Sequence, residues 1–303
     1  MMTRQTRLLT SGAVWPAILI RHGEALTSGA IQPIETAQTF VEDGGVRFLV
    51  RLAVALARKD GARTPAAAGP AANPFLPWEP ALFVGGVSPT HIALLNKFSV
   101  IDCHLLIVTR VFEPQEILLQ REDFAALALC MGDVDGLGFY NGGTVAGASQ
   151  PHKHLQLVPL PLAEPGDAVP MEAAFVAAAA QGSLDLLPAL PFRHVFATLD
   201  PALFDDPSTA AEALHRVYRE MCAEVGVADR VAHANSRQAI PYNLLLTRRW
   251  MLMVVRSAES WADISVNALG FAGSLFVRTA AQMAAIQRAG PMAVLQGVTV
   301  QRR

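Results

Sequence analysis

The run Ala148-Ser149-Gln150-Pro151-His152-Lys153-His154-Leu155-Gln156 holds the side chains best suited to chemistry. As a β-strand it places His152, His154 and Gln156 on one face and Lys153, Leu155 and Leu157 on the other, because side chains alternate with period two. Just upstream, Asn141-Gly142-Gly143-Thr144-Val145-Ala146-Gly147 is a stretch of small residues whose backbone can come close to a ligand. A small-residue loop with free amides, followed by a histidine row, is the equipment of phosphoryl or nucleotidyl transfer by a histidine nucleophile.

A neutral imidazole attacks phosphorus well, and its ordinary pKa of about 6.5 leaves it mostly neutral near pH 7. One ring nitrogen must face the phosphorus while the other keeps its proton, and a backbone carbonyl can accept that N–H. His154 is the expected nucleophile and His152 its orienter, with the His152 backbone as the candidate acceptor. Gln156 can donate its amide to a phosphoryl or leaving-group oxygen. Ser149 and the amides of Gly147 to Gln150 can stabilise charge on the non-bridging oxygens. The reading requires His154 to face an anion-sized hollow. A bare HxH pair has two plainer explanations, satisfied histidines on a solvated face or half of a zinc site. Zinc would need further ligands from His104, Cys103 or a distant acid, which no spacing supplies, so no metal site is expected. The Gly-Gly loop, Ser149, Pro151 and Gln156 together favour catalysis.

These residues need elements to hold them. Leu82–Val84, His91–Lys97, Leu105–Thr109 and Leu137–Tyr140 read as strands, and Pro159 and Pro161 stop the histidine strand. Asn243–Arg248 and Met251–Arg256 read as two further strands around Arg249-Trp250. Residues 36–58 look helical at both ends, 114–131 form a helix with an apolar stripe, and Ser208 is a candidate N-cap for a helix to about Val225. A final helix is expected from about Ser274 to Arg288. Residues 162–192 read as a Pro/Ala-rich connection with a helix inside it, and Gly61–Ala72 as a low-complexity loop. Leu105-Leu106-Ile107-Val108-Thr109-Arg110 is weakly echoed by Leu244-Leu245-Leu246-Thr247-Arg248.

The bulk properties set limits. With 303 residues, 52% hydrophobic and 17% charged, the chain can bury a sizeable core. A net charge of −2 argues against a broad nucleic-acid footprint but not against a local phosphate site. Three scattered cysteines suit a reducing compartment. No leader or spanning segment is apparent, so a cytoplasmic protein without a membrane partner is expected. Only Lys59, Lys97 and Lys153 are lysines, against 21 arginines, so each lysine invites a specific role for a compact ammonium. The pleat turns Lys153 away from His154 and argues against direct catalysis by it.

The run ASQPHKHLQ, after GFYNGG and AGAS, resembles the ATP adenylyltransferases, or diadenosine tetraphosphate phosphorylases, of the histidine-triad superfamily in its HxHxQ branch. Arg58-Lys59-Asp60, Asn73 to Pro77, Leu94 to Phe98, Leu105 to Arg110, Tyr242 to Thr247 and Ser265 to Gly273 resemble that family's blocks in the same order, from about residue 47 to the C-terminus. The resemblance implies an α+β fold: an antiparallel sheet with packed helices, built from two related halves, here 1–165 with the catalytic strand and 166–303 completing the nucleotide site. It implies attack by His154 on the α-phosphorus of the dinucleotide, loss of ATP, and transfer of the adenylyl group to inorganic phosphate to give ADP. The reverse joins ATP to ADP, and an adenylyl sulfate side activity is conceivable.

By the same resemblance Asn141, Ser149 and Gln156 are phosphate ligands, beside the Gly147 amide already read as a candidate donor to the substrate. Lys59, Asn96 and Lys97 contact polyphosphate or ribose, and Asn243, Thr247 and, more weakly, Arg256 contribute from the second half. No covalent cofactor is implied, and Mg²⁺ would arrive with the polyphosphate. The chain departs from the family pattern at Cys103-His104, where a paired histidine is expected, in the Ala/Pro loop 61–72, and at Val255, where proline is common. A hexose-1-phosphate uridylyltransferase matches only at HxHxQ. A nucleotide sensor without turnover needs no nucleophile.

Overall fold

The computed structural model describes residues 8–53, 73–164, 166, 168–176, 184–229, 231, 233 and 235–302. Lys59 and the loop 61–72 lie outside them.

Helix α1 (Val14–Thr27) leads into a hairpin, β1 (Thr36–Asp43) and β2 (Val46–Ala53). Strands β3 (Phe83–Gly86), β4 (His91–Leu95) and β5 (Leu105–Thr109) follow, then α2 (Arg121–Asp133), β6 (Gly136–Gly142) and β7 (His154–Pro159). A short α3 (Glu172–Val176), β8 (Leu184–Asp185), β9 (His194–Thr198), α4 (Pro207–Glu224), β10 (Tyr242–Leu246) and β11 (Trp250–Val255) come next. The chain closes with β12 (Ser260–Trp261), β13 (Ile264–Ser265), α5 (Ala268–Phe271), β14 (Ser274–Val277), α6 (Ala280–Ala289) and α7 (Pro291–Gly297).

Nine strands form one sheet in the order β3-β4-β5-β7-β6-β10-β11-β9-β8, antiparallel throughout. Its two faces bury separate cores. On one, Leu155, Leu157, Tyr140 and Tyr242 pack with Phe124 and Leu127 of α2, Leu214 and Tyr218 of α4, and Val14 of α1. On the other, Val158, Leu137, Phe139 and Leu245 meet Phe48 and Val50 of β2, Phe271 of α5, Leu275 of β14 and Ile286 of α6. A three-stranded sheet, β1-β2-β14, therefore roofs the second face, with β14 parallel to β2. The period-two pattern of β7 decides which face each of its side chains joins.

Four expectations about elements change. Residues 36–53 form a hairpin rather than a helix. Gly44 and Gly45 at φ of +59° and +79° make the reversal that side-chain-bearing residues resist, and Val, Phe and Leu then alternate across a pleat. Residues 114–120 are not helical: a turn at Gln115 and Glu116, closed by the Ile117 amide on the Pro114 carbonyl, is followed by irregular chain. Pro114 bridges His152 and Ile117 bridges Arg237, and α2 starts only where Gln120 and Asp123 form a capping box. The segment 274–288 begins as strand β14 and turns helical after the Thr279 cap. The cap of α4 is Asp206, two residues before Ser208.

Candidate active site

β7 pairs with β6 only between Gly136–Phe139 and Pro159–Gln156. Beyond that point the two strands part, and the side chain of Gln115 fills the gap. Its Oε1 accepts the His154 N–H at 2.9 Å, and its Nε2 donates to the carbonyls of His154 (3.2 Å) and Asn141 (3.0 Å). A buried carboxamide thus takes the place of a strand partner, as buried backbone polar groups require. His152 precedes the regular strand, paired to Pro114 by a single bridge.

His154 is 4% exposed and shares its face of β7 with Gln156. Its Nδ1 lies 2.7 Å from the His152 carbonyl oxygen. A carbonyl can only accept, so Nδ1 carries the proton and Nε2 presents a bare lone pair. Burial pushes this imidazole down to about 4, which keeps it neutral. The His152 ring is held by Asn73 at Nδ1 (3.0 Å) and by the Thr109 carbonyl at Nε2 (3.0 Å). Phe75 covers both rings, with centroids 5.1 Å from His154 and 5.7 Å from His152. Lys153 turns to the opposite face, into the helix-covered core.

Gln156, Asn141, Gly147, Ser149 and Asn96 line one cavity of about 620 Å³, roofed by β2 and β14. His104 lines it too, and forms a relay. Asn96 Nδ2 lies 3.1 Å from His104 Nδ1, and His104 Nε2 lies 2.9 Å from Gln156 Oε1. With Nε2–H donating to that oxygen, the carboxamide NH₂ of Gln156 faces the cavity as a donor. Burial holds His104 near 4, hence neutral. Gly147 turns at φ +89°, and a Cβ there would meet the Val266 carbonyl at 2.8 Å.

The other candidates lie elsewhere. Asn243 is buried one step back: its Nδ2 donates to Asn141 Oδ1 and the Ala146 carbonyl, both at 2.8 Å, and its Oδ1 accepts from Arg256 Nη1 at 2.6 Å. Asn141 Oδ1 also accepts from the Ala268 amide at 2.9 Å. Asn243 and Arg256 therefore brace the Asn141 wall and the loop after β6. Lys97 is outside the cavity, paired with Glu79 at 2.8 Å. Thr247 sits in the β10–β11 turn, where its hydroxyl accepts from the Arg249 amide at 3.2 Å. Lys59 lies outside the described residues. Among those residues no group of three or more His, Cys, Asp or Glu could hold a metal ion, and no helix is long and apolar enough to cross a membrane.

Sequence reasoning missed Gln115, the orienting role of His104, Phe75 as a cover, and Arg51 in the roof. His104 carried a signal, as the histidine retained at a departure from the family pattern, and Phe75 lies within the block Asn73 to Pro77 that resembles the family; Gln115 and Arg51 carried none.

Comparison with known proteins adds independent findings. Residues 4–177 match the family model of the Ap4A phosphorylase N-terminal domain, and residues 188–301 that of the ATP adenylyltransferase C-terminal domain. The chain is 29% identical over 209 residues to diadenosine 5',5'''-P1,P4-tetraphosphate phosphorylase 2 of Saccharomyces cerevisiae, covering 61% of each chain. It is 26% identical over 216 residues to Protein APA1 of the same yeast, covering 65% of this chain and 64% of that protein. Both matches span less than two thirds of the relatives' length. The fold is similar to that of yeast Ap4A phosphorylase Apa2 in complex with Ap4A, with a TM-score of 0.77 at 20% identity over 97% of this chain and 100% of that one. The complex of Apa2 with AMP is similar with a TM-score of 0.76 at 21% identity, over 97% of this chain and 99% of that one.

Proposed function

The chain belongs to the Ap4A phosphorylase and ATP adenylyltransferase family, and on that premise we propose that it phosphorolyses diadenosine tetraphosphate to ATP and ADP through an adenylyl-histidine intermediate. The observation that carries the reading is the His154 ring: proton held on Nδ1 by the His152 carbonyl and a lone pair on Nε2, with Gln156, two residues along the same face of β7, on the wall of a cavity that the buried His154 ring does not itself line.

The lone pair of Nε2 attacks the α-phosphorus. A nitrogen–phosphorus bond forms, the bond to the bridging oxygen breaks, and ATP leaves with that electron pair. The ring becomes cationic, and its Nδ1–H bond to the His152 carbonyl strengthens. The Gln156 NH₂, aimed by His104, donates to the departing oxygen or to a non-bridging one, and Ser149 and the amides near it complete the donor set. Inorganic phosphate then attacks the adenylyl phosphorus, His154 leaves as a neutral imidazole, and ADP is released. Mg²⁺ brought in with the polyphosphate would be held by substrate oxygens and would offset their charge.

The fold class carries a finer reading, two related halves, 1–165 and 166–303. The succession β5-α2-β6-β7 recurs as β9-α4-β10-β11, and the sheet order runs outward from β6 and β10 in both directions. Tyr140-Asn141 and Tyr242-Asn243 occupy matching places on those central strands, with Asn141 opposite Asn243. Gln156 pairs with Phe139 as Arg256 bonds to Pro241, so Arg256 stands where Gln156 does and Val254 where His154 does. The second half thus supplies no nucleophile.

Incubation of the purified protein with diadenosine tetraphosphate and inorganic phosphate tests the proposal. ATP plus ADP, and an AMP-sized adduct on His154 when phosphate is omitted, are expected. AMP-type hydrolysis products, or no turnover, would overturn it.

A further inference from the structure

Arg256 and Arg51 are both buried arginines, and they differ in how their donors are used. A guanidinium has five N–H groups. Arg256 directs its nitrogens to five acceptors: Val298, Ala146, Ala258 and Glu259 carbonyls and Asn243 Oδ1. Arg51, on β2 and 4% exposed, has two, Ser274 Oγ at 2.5 Å from Nη1 and the Leu162 carbonyl from Nη2. Its Nε is buried with no partner, and among the described residues no carboxylate pairs with it. Burial lowers its pKa to about 10, still cationic at neutral pH. A desolvated cation without a counter-charge is costly unless an anion visits it.

Arg51 faces the cavity that Gln156 lines, on the wall supplied by the three-stranded sheet. Ser274, Arg278 and Gln282 lie on the same side. Ser274 Oγ accepts from Arg51, which leaves its own O–H to donate. Glu259 and Asp263 also line the cavity, but neither touches Arg51, and Glu259 takes the Ser265 hydroxyl. The Leu162 carbonyl that anchors Arg51 lies beyond the end of β7. Three residues of strand from Gln156 to Pro159 already span about 10 Å. Arg51 is thus anchored past the end of β7, on the roof of the cavity that Gln156 lines from the strand itself.

We propose that Arg51 and Ser274 form a second oxyanion subsite of the cavity, which takes phosphate groups remote from the reacting phosphorus. The inference rests on the phosphorolysis reading and adds where the far part of the polyphosphate is held. Titration calorimetry with inorganic tripolyphosphate and with inorganic phosphate tests it without any turnover. Arg51→Gln should weaken tripolyphosphate binding about 10- to 100-fold, as loss of charged hydrogen bonds does. Arg51→Lys should restore part of it, and Ser274→Ala should weaken it less. If monophosphate binding falls and tripolyphosphate does not, the proposed polyphosphate role is overturned in favour of a free-phosphate site. Unchanged affinity for both anions in Arg51→Lys and Ser274→Ala overturns the subsite even should Arg51→Gln fail to fold. A protein that binds tripolyphosphate through Arg51 yet shows no phosphorolysis would sink the functional reading and leave this one standing.

Discussion

Lys153 Nζ lies 2.6 Å from Asp123 Oδ2 on the face of the sheet opposite the His154 ring, with Lys153 1% exposed. Asp123 also receives His91 Nε2 at 3.0 Å and, as part of the α2 capping box, the Gln120 amide at 2.6 Å. The ammonium takes the Leu118 carbonyl and Glu113 as well, both at 3.3 Å. The lysine inside the catalytic motif is thus a rivet between β7 and the start of α2.

Removing one partner strands a buried charge. Lys153→Met or Asp123→Asn should each cost about 3–5 kcal/mol of folding stability, while the double change Lys153→Met with Asp123→Asn should cost less than the sum of the singles. Urea unfolding of the four proteins checks this. Strict additivity would show that the two charges do not depend on each other.

The catalytic strand was legible because its chemistry and its period-two geometry lie within nine residues. The parts of the site that come from tertiary structure were not. Gln115 reaches His154 across 39 residues of chain, and no local pattern marks it as the partner that replaces β6. The pair Asn141 and Asn243 was legible as a set of polar residues on strands, but its orientation one step behind the cavity depends on the sheet register. Among the elements, β1–β2 was misread because Val50 and Ala53 have helical spacing as well as strand burial. Helix α1 was overlooked because Leu19, Ile20 and Leu26 remain exposed and blur its apolar stripe.

The Gln115 carboxamide is expected to control the position of His154 more than the binding of substrate. Gln115→Leu leaves the His154 N–H and carbonyl and the Asn141 carbonyl without their partner. A misplaced nucleophile loses on the order of 100-fold, so kcat should fall by about that much with KM nearly unchanged. Stopped-flow measurement of ATP release reads the difference. A change confined to KM would assign Gln115 to the substrate site instead.

Burial lowers both His154 and His104 to about 4, and His152, His194 and His215 move in the same direction. Between the unfolded value of about 6.5 and the folded one, the unfolded chain binds protons that the native protein does not. Stability therefore rises with pH across that window and is lost as pH falls through it. Urea midpoints taken from pH 7 to pH 4.5 should show this slope, and His104→Gln should reduce it by about one proton. The nucleophile should stay unprotonated over the same range, so kcat/KM should show no inflection near pH 6.5. An inflection there that disappears in His104→Gln would mean that these rings titrate as exposed histidines.

Gln156 can stabilise transferred charge only through its NH₂, because the oxygen end is occupied by His104. Gln156→Ala should lower kcat by roughly 10- to 1,000-fold, the usual effect of deleting one transition-state donor. Gln156→Glu should be at least as damaging, since its carboxylate can still accept from His104 while presenting negative charge to the phosphate. His104→Ala should cost about tenfold, by freeing the carboxamide to rotate. If His104 acts only through Gln156, the double variant His104→Ala with Gln156→Ala should be no slower than Gln156→Ala alone. Rates that multiply in the double variant would require His104 to contact the substrate on its own account, across the cavity wall it shares with Asn96.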